Sequence, residues 1–164
     1  MRQLIVLGMV LLLAGCGYKP SSYYSKRVLG DAIFADVQIP MNDPQSGGIL
    51  LDALNEAIVA KFGGKLTSRE ASDTQIFIRE AKHSVSALQR DKDGFVILYR
   101  SHVTMTTQVN SPATRGQVFS VSGSYDFAVE PSSVLSDSAR STAAREAALK
   151  ALDELLARLV LMGR

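Results

Sequence analysis

Catalysis needs a nucleophile, a base or a cluster of metal ligands, and the residue types that supply them are sparse in this chain. The two histidines, His83 and His102, are too few for a histidine-rich metal site and stand in no two-histidine helix motif. Each is expected as a surface residue of a strand. Serines are plentiful, but none sits in a Gly-x-Ser-x-Gly elbow. Ser122-Gly123-Ser124 falls in mid-strand, away from the strained strand-to-helix turn such an elbow requires. Gly47-Gly48 and Gly63-Gly64 lack the spacing of phosphate-binding loops. The carboxylates fall on helix faces, caps and turns, with no pair poised for acid–base work. No catalytic residue, metal ligand or bound cofactor is expected, and the reading is of a protein that is not an enzyme.

One thiol remains. Cys16 is the only cysteine, which excludes an intramolecular disulfide and any multi-cysteine metal site. It follows a single basic residue, Arg2, and an uncharged apolar run from Leu4 to Ala14. That run is shorter than the roughly 20 residues a membrane-spanning helix needs, and it matches the h-region of a secretory signal. Leu13-Ala14-Gly15-Cys16 resembles the lipobox of bacterial lipoproteins at all four positions, which implies cleavage before Cys16 and a covalent lipid on its sulfur. Two or three acyl chains make such an anchor stable where one would not. Residues 1–15 are thus expected to be a cleaved signal peptide, 16–30 a lipidated tether, and 31–164 a single domain. Loss of Arg2 lowers the formal charge from +2 to +1, which argues against a nucleic-acid binder.

Stepping along the remaining chain, Ile33, Ala35, Val37 and Ile39 alternate with Phe34, Asp36 and Gln38 as a first strand that Pro40 stops. Leu50, Leu51, Leu54, Ile58 and Phe62 form the apolar stripe of a helix closed by Gly63-Gly64. From Thr74 the period becomes two. A strand to Arg90, with an irregularity around Ser84 to Ala87, turns at Asp91-Lys92-Asp93-Gly94 into a second, whose apolar face carries Phe95, Ile97, Tyr99, Val103 and Met105. A third follows the turn at Asn110-Ser111-Pro112. Opposite these apolar faces lie Arg100, His102, Thr104, Thr106, Gln108, Ser120, Ser122, Ser124 and Asp126, so the sheet is expected to be covered on one side only. Ser136-Asp137 opens the longest helix, with Ala144, Ala148, Leu152, Leu155, Leu156 and Leu159 buried, and Glu146–Lys150 and Glu154–Arg158 as exposed i,i+4 pairs. The expected class is α+β: a two-layer sandwich in the order strand-helix-strand-strand-strand-helix, both helices on one face of a four-stranded, mostly antiparallel sheet.

Arg79, Lys82, Arg90, Lys92 and Arg100 outnumber the acidic residues along the hairpin. Such a run reads either as a solvated edge that resists aggregation or as a site for an anionic headgroup. The lipoprotein start, Cys16-Gly17-Tyr18, the order of elements, and the closing Tyr125-Asp126-Phe127-Ala128-Val129-Glu130-Pro131 before the last helix together resemble the LPS-assembly lipoprotein family LptE, over essentially the whole mature chain. The resemblance implies an outer-membrane lipoprotein, anchored by lipid, facing the periplasm and the lumen of the LPS-translocating barrel LptD. It implies a role in assembling that barrel and in binding lipopolysaccharide. The family's basic contact on the hairpin falls on Arg90, with Lys92 beside it. Its second contact, before the last helix, has no match, since 132–138 holds Asp137 and no basic residue. A lipid-anchored adaptor of another envelope complex shares the same tether and fold, and remains the alternative.

Overall fold

The computed structural model describes residues 26–38, 44–130 and 134–162, with the side chains of 44–46 excepted. The signal peptide, Cys16 and the tether up to residue 25 lie outside the described residues. Strand β1 (Ala32–Val37) leads to helix α1 (Pro44–Glu56), whose last turns widen into a π-helix over Ala57–Phe62. Then come β2 (Lys65–Leu66), β3 (Thr74–Arg90), β4 (Val96–Asn110), β5 (Gln117–Ala128) and helix α2 (Asp137–Met162). The sheet order is β2-β1-β3-β4-β5.

The sheet has five strands, not four, and is mixed. β1 pairs in parallel with both β2 and β3, while β3-β4-β5 is an antiparallel meander. The parallel half follows from the helix between β1 and β2: a chain that climbs one strand and returns through a helix must enter the next strand in the same sense. The added strand is two residues long, too short to announce itself by alternation. Gly63, in the left-handed region at φ 70°, and the bond from Gly64 N–H to the Ile58 carbonyl end the helix there. Before β1, residues 26–29 form a helical turn that buries Val28 and Leu29, so the packed part starts earlier than residue 31. Asp73 ties this start to the sheet, its carboxylate accepting the N–H groups of Asp31 and Ala32 at 3.1 and 3.0 Å.

Both helices lie on one face. Their stripes (Leu54, Ile58 and Phe62 from α1; Ala147, Ala148, Ala151, Leu152, Leu155 and Leu159 from α2) close over Ile33, Ile76, Ile78, Val103, Met105, Val109, Phe119 and Val121. α2 sits so low on the sheet that a Cβ on Gly123 would land on the backbone of Ala147 and Ala151. A glycine in the strand and alanines in the helix permit that approach. Cover stops at Ser101. Phe95, Ile97 and Tyr99, expected in the core from their alternation, are half-exposed or exposed, because that end of the hairpin projects past both helices. Tyr99 stacks on Phe127 there, at 5.8 Å between centroids.

The register departs from regular pairing at Arg79, between Ile78 and Glu80, and again after Ala87, whereas Ser84 to Ala87 pair regularly with His102 to Tyr99. The expected irregularity therefore flanks that stretch. β1 ends opposite Ile78, so among the described residues β3 from Arg79 onward is paired with β4 alone. The hairpin turn is as expected: Asp91 accepts the N–H groups of Asp93 and Phe95, and Gly94 takes φ 88°.

Within the core, the Thr107 hydroxyl has no hydrogen-bond partner among the described residues, although the residue is fully buried opposite Ile78 and Phe119. An unmet buried hydroxyl costs free energy that an isosteric methyl does not. Thr107→Val is therefore expected to stabilise the fold by about 1 kcal/mol. Chemical denaturation of the two proteins tests this; a loss of stability would mean that the hydroxyl is satisfied in solution.

Candidate functional site

Because side chains alternate across a strand, covering one face leaves a continuous row of outward residues on the other. Here β3, β4 and β5 present Lys82, Thr104 and Ser122 in one cross-strand row, and Ser84, His102 and Ser124 in the next. These groups bond one another. His102 Nδ1 lies 2.8 Å from Ser124 Oγ, and its Nε2 lies 3.2 Å from Thr104 Oγ1. Arg100 donates from Nε and Nη2 to the two carboxylate oxygens of Asp126, both at 2.7 Å. The bond from Arg100 is the chief reason the Asp126 carboxyl sits below its ordinary range. The result is a flat, hydroxyl-rich surface that is polar yet largely satisfied within itself.

The basic residues of the hairpin do not form one cluster. Arg79 bonds Gln108 near the start of β3; Arg100 is held by Asp126. At the turn, Arg90 Nη1 donates to the Gly94 carbonyl at 2.9 Å, and Lys92 Nζ pairs with Asp93 at 2.9 Å. Arg90 and Lys92 thus share one end of the sheet, with an intramolecular partner each, and an incoming anion must compete with those partners. His83 is exposed as expected, but it sits on the helix side, its Nε2 2.9 Å from the buried Ser101 hydroxyl. It borders a shallow depression shared by Val85, Tyr99, Leu135 and Arg140. Arg140, in the first turn of α2, brings a basic group to the hairpin side of that helix. Arg140 lies just past the 132–138 segment in sequence, and only the packing of this helix beside the hairpin brings it there.

One expected surface pair has another purpose. Glu154 does meet Arg158, at 2.6 Å, but its other oxygen accepts the Ser122 backbone N–H at 2.8 Å. The helix thereby satisfies a donor on the outer edge of β5. This backbone bond is the leading cause of the lowered Glu154 pKa, with Arg158 reinforcing it against burial. Glu146 pairs with Arg145, which also reaches Glu56 on α1, while Lys150 lies over the Tyr125 ring at 5.4 Å. Among the described residues no group of histidine, cysteine and acidic side chains is placed to hold a metal ion, and no helix is long and apolar enough to cross a membrane.

A family model described as LptE, lipopolysaccharide-assembly, matches residues 34–159. No curated relative matches the sequence. Among solved structures the fold is similar to a minor lipoprotein from Acinetobacter baumannii, with 10% identity and a TM-score of 0.50 over 82% of this chain and 93% of that one. It is similar too to a lipoprotein of Caulobacter crescentus, with 11% identity and a TM-score of 0.50 over 86% of this chain and 93% of that one. At such identities the likeness is one of fold.

Glu154 supplies a measurable consequence. A carboxyl whose folded pKa is depressed contributes stability above its ordinary value of 4.5 and loses it as pH falls through the folded value. The thermal midpoint is expected to fall as the pH drops below that ordinary value, and to fall less in Glu154→Gln, whose amide oxygen still accepts the Ser122 N–H without titrating. Identical pH slopes for the two proteins would show that the contact contributes nothing.

Proposed function

Since this chain belongs to the lipopolysaccharide-assembly LptE family, we propose that it is a non-catalytic outer-membrane lipoprotein that plugs the LPS-translocating barrel LptD, helps it assemble, and assists insertion of lipopolysaccharide at the cell surface. The observation that carries this reading is the uncovered sheet face. The middle of this helix-free face, made of hydroxyls and a matched ion pair, offers little apolar surface to drive association by burial. It suits a lumen whose inward side chains are polar and wet, where bridging waters and hydrogen bonds replace those to bulk solvent. The same family membership supports the anchor on Cys16, with the domain facing the periplasm and the barrel lumen. Arg90 and Lys92 are the proposed contacts to lipopolysaccharide phosphates, reached by displacing Gly94 and Asp93 from them.

Affinity purification of the full-length chain from solubilised outer membranes is expected to recover the barrel, identified by mass spectrometry. Thr104→Trp, which sets a large ring in the middle of the uncovered face, is expected to leave the thermal midpoint unchanged and to remove most of the barrel from the eluate. Full recovery with the variant would show that this face does not meet the lumen; recovery of a different envelope complex with the parent chain would favour the adaptor role. The anchor has its own test. With no other cysteine to take its place, Cys16→Ser is expected to accumulate as a precursor that retains residues 1–15, and a mature unlipidated N-terminus in the parent protein would refute the assignment.

A further inference from the structure

Phe77 is out of place. Its register partners, Gln108 on β4 and Asp36 on β1, put it on the uncovered face, yet it is only 6% exposed. No helix shields it. Phe34 meets it edge-on at 6.1 Å, and the guanidinium carbons of Arg69 and Arg79 lie 5.6 and 5.2 Å from its ring centroid.

Neither arginine is there by chance of a flexible stem. Arg79 is the residue skipped in the register between Ile78 and Glu80, and a bulge at a strand edge re-aims the side chain it carries. Its Nε and Nη2 both donate to the side-chain oxygen of Gln108, and Nη1 has no hydrogen-bond partner among the described residues. Arg69 belongs to the β2–β3 loop, whose backbone is closed by the bonds of Ser72 Oγ and Gln75 Nε2 to the Arg69 carbonyl and of Ala71 N–H to that of Ser68.

Two charges meet at one ring without a counter-charge. An aromatic face attracts a cation but does not neutralise it. Among the described residues no carboxylate stands within ion-pair distance of Arg69 or Arg79, although Asp36, Glu70 and Glu80 are neighbours in register or sequence. Arg100, Arg145 and Arg158 each have a carboxylate partner; Arg69 and Arg79 differ from the remaining arginines in being gathered on one buried ring. We propose that Arg69, Phe77 and Arg79 form an anion site that takes a phosphate group, held by the two guanidiniums and separate from Arg90 and Lys92 at the hairpin turn. Guanidinium N–H groups match phosphate oxygens in pairs. Both guanidiniums are already ordered on the ring, so less side-chain freedom is lost on binding. The ligand class is a phosphate monoester or diphosphate, either on a lipid headgroup or in a soluble molecule. The site does not depend on the barrel role, and its test uses the protein without any partner.

The full-length chain in uncharged detergent is titrated with sodium pyrophosphate in one arm and with dihexanoyl phosphatidic acid in the other, with dihexanoyl phosphatidylcholine as the neutral control. Arginine Nε–Hε signals are followed by NMR. Saturable shifts at Arg69 and Arg79, with Arg158 unmoved, are expected. R69Q/R79Q is expected to weaken binding by roughly tenfold or more through loss of the paired donors, while R158Q leaves the shifts at Arg69 and Arg79 unchanged. Equal response to both probes assigns the site to phosphate as such, and response to phosphatidic acid alone assigns it to a lipid headgroup. Silence toward both probes, shifts spread equally over all exposed arginines, or equal loss in R158Q would overturn the proposal. Because the shift pattern of the parent protein decides between these outcomes, the test holds even if the double variant folds poorly.

Discussion

The contact on which the molecule's asymmetry rests is the one between Gly123 and the backbone of α2. With no side chain at 123 and alanines at 147 and 151, helix and strand meet backbone to backbone, and the leucines beyond them reach fully into the core. Burial at roughly 25 cal/mol per Å² of apolar surface favours the closest approach the chain allows. Both helices are drawn to the same side. Once they are there, no described helix covers the other face, and most of its residues are polar, paired with one another or, like Phe77, shielded singly, while Val118 stays exposed.

That division explains how the hydrogen-bonding groups are arranged. On the covered side, polar groups are few and mostly bonded, with Ser101 meeting His83 and Thr74 meeting the Leu29 carbonyl. On the open side, bonds run across strands between side chains, as in Arg100–Asp126 and His102–Ser124. Exposed pairs of this kind add little to stability. Their effect is to satisfy charge across the strands, whereas Arg69 and Arg79 share a buried ring and have no carboxylate partner among the described residues.

Much of this was legible in the sequence because both signals, period two in the strands and 3.6 in the helices, are strong here. The limits of β3, the start of α2, the hairpin turn and the outward row on β4 and β5 were all expected. What escaped had no local signature. Two-residue β2 carries no period. Phe95 and Tyr99 alternate like core residues, but whether a helix lies above them depends on where α2 packs. The pairing of Glu154 with a backbone N–H, of Lys150 with Tyr125, and of Arg69 with Phe77 joins residues distant in sequence, and only the folded register brings them together. The basic residues of the hairpin read as one cluster when counted along the chain, yet a strand of seventeen residues separates them widely in space.

The open margin of β3 beyond Ile78 bears on how the molecule lives before it meets any companion. A strand that offers its backbone donors and acceptors to solvent is a template on which a second chain can polymerise. The dislocations at Arg79 and after Ala87 bound that template at both ends and twist it out of plane, so growth would have to begin within a short straight stretch rich in serine. Glu154 does for the far margin of the sheet what the dislocations do here, by occupying the Ser122 N–H. Both margins of the sheet thus carry a feature that opposes pairing with a further chain, while no described helix covers one of its sides.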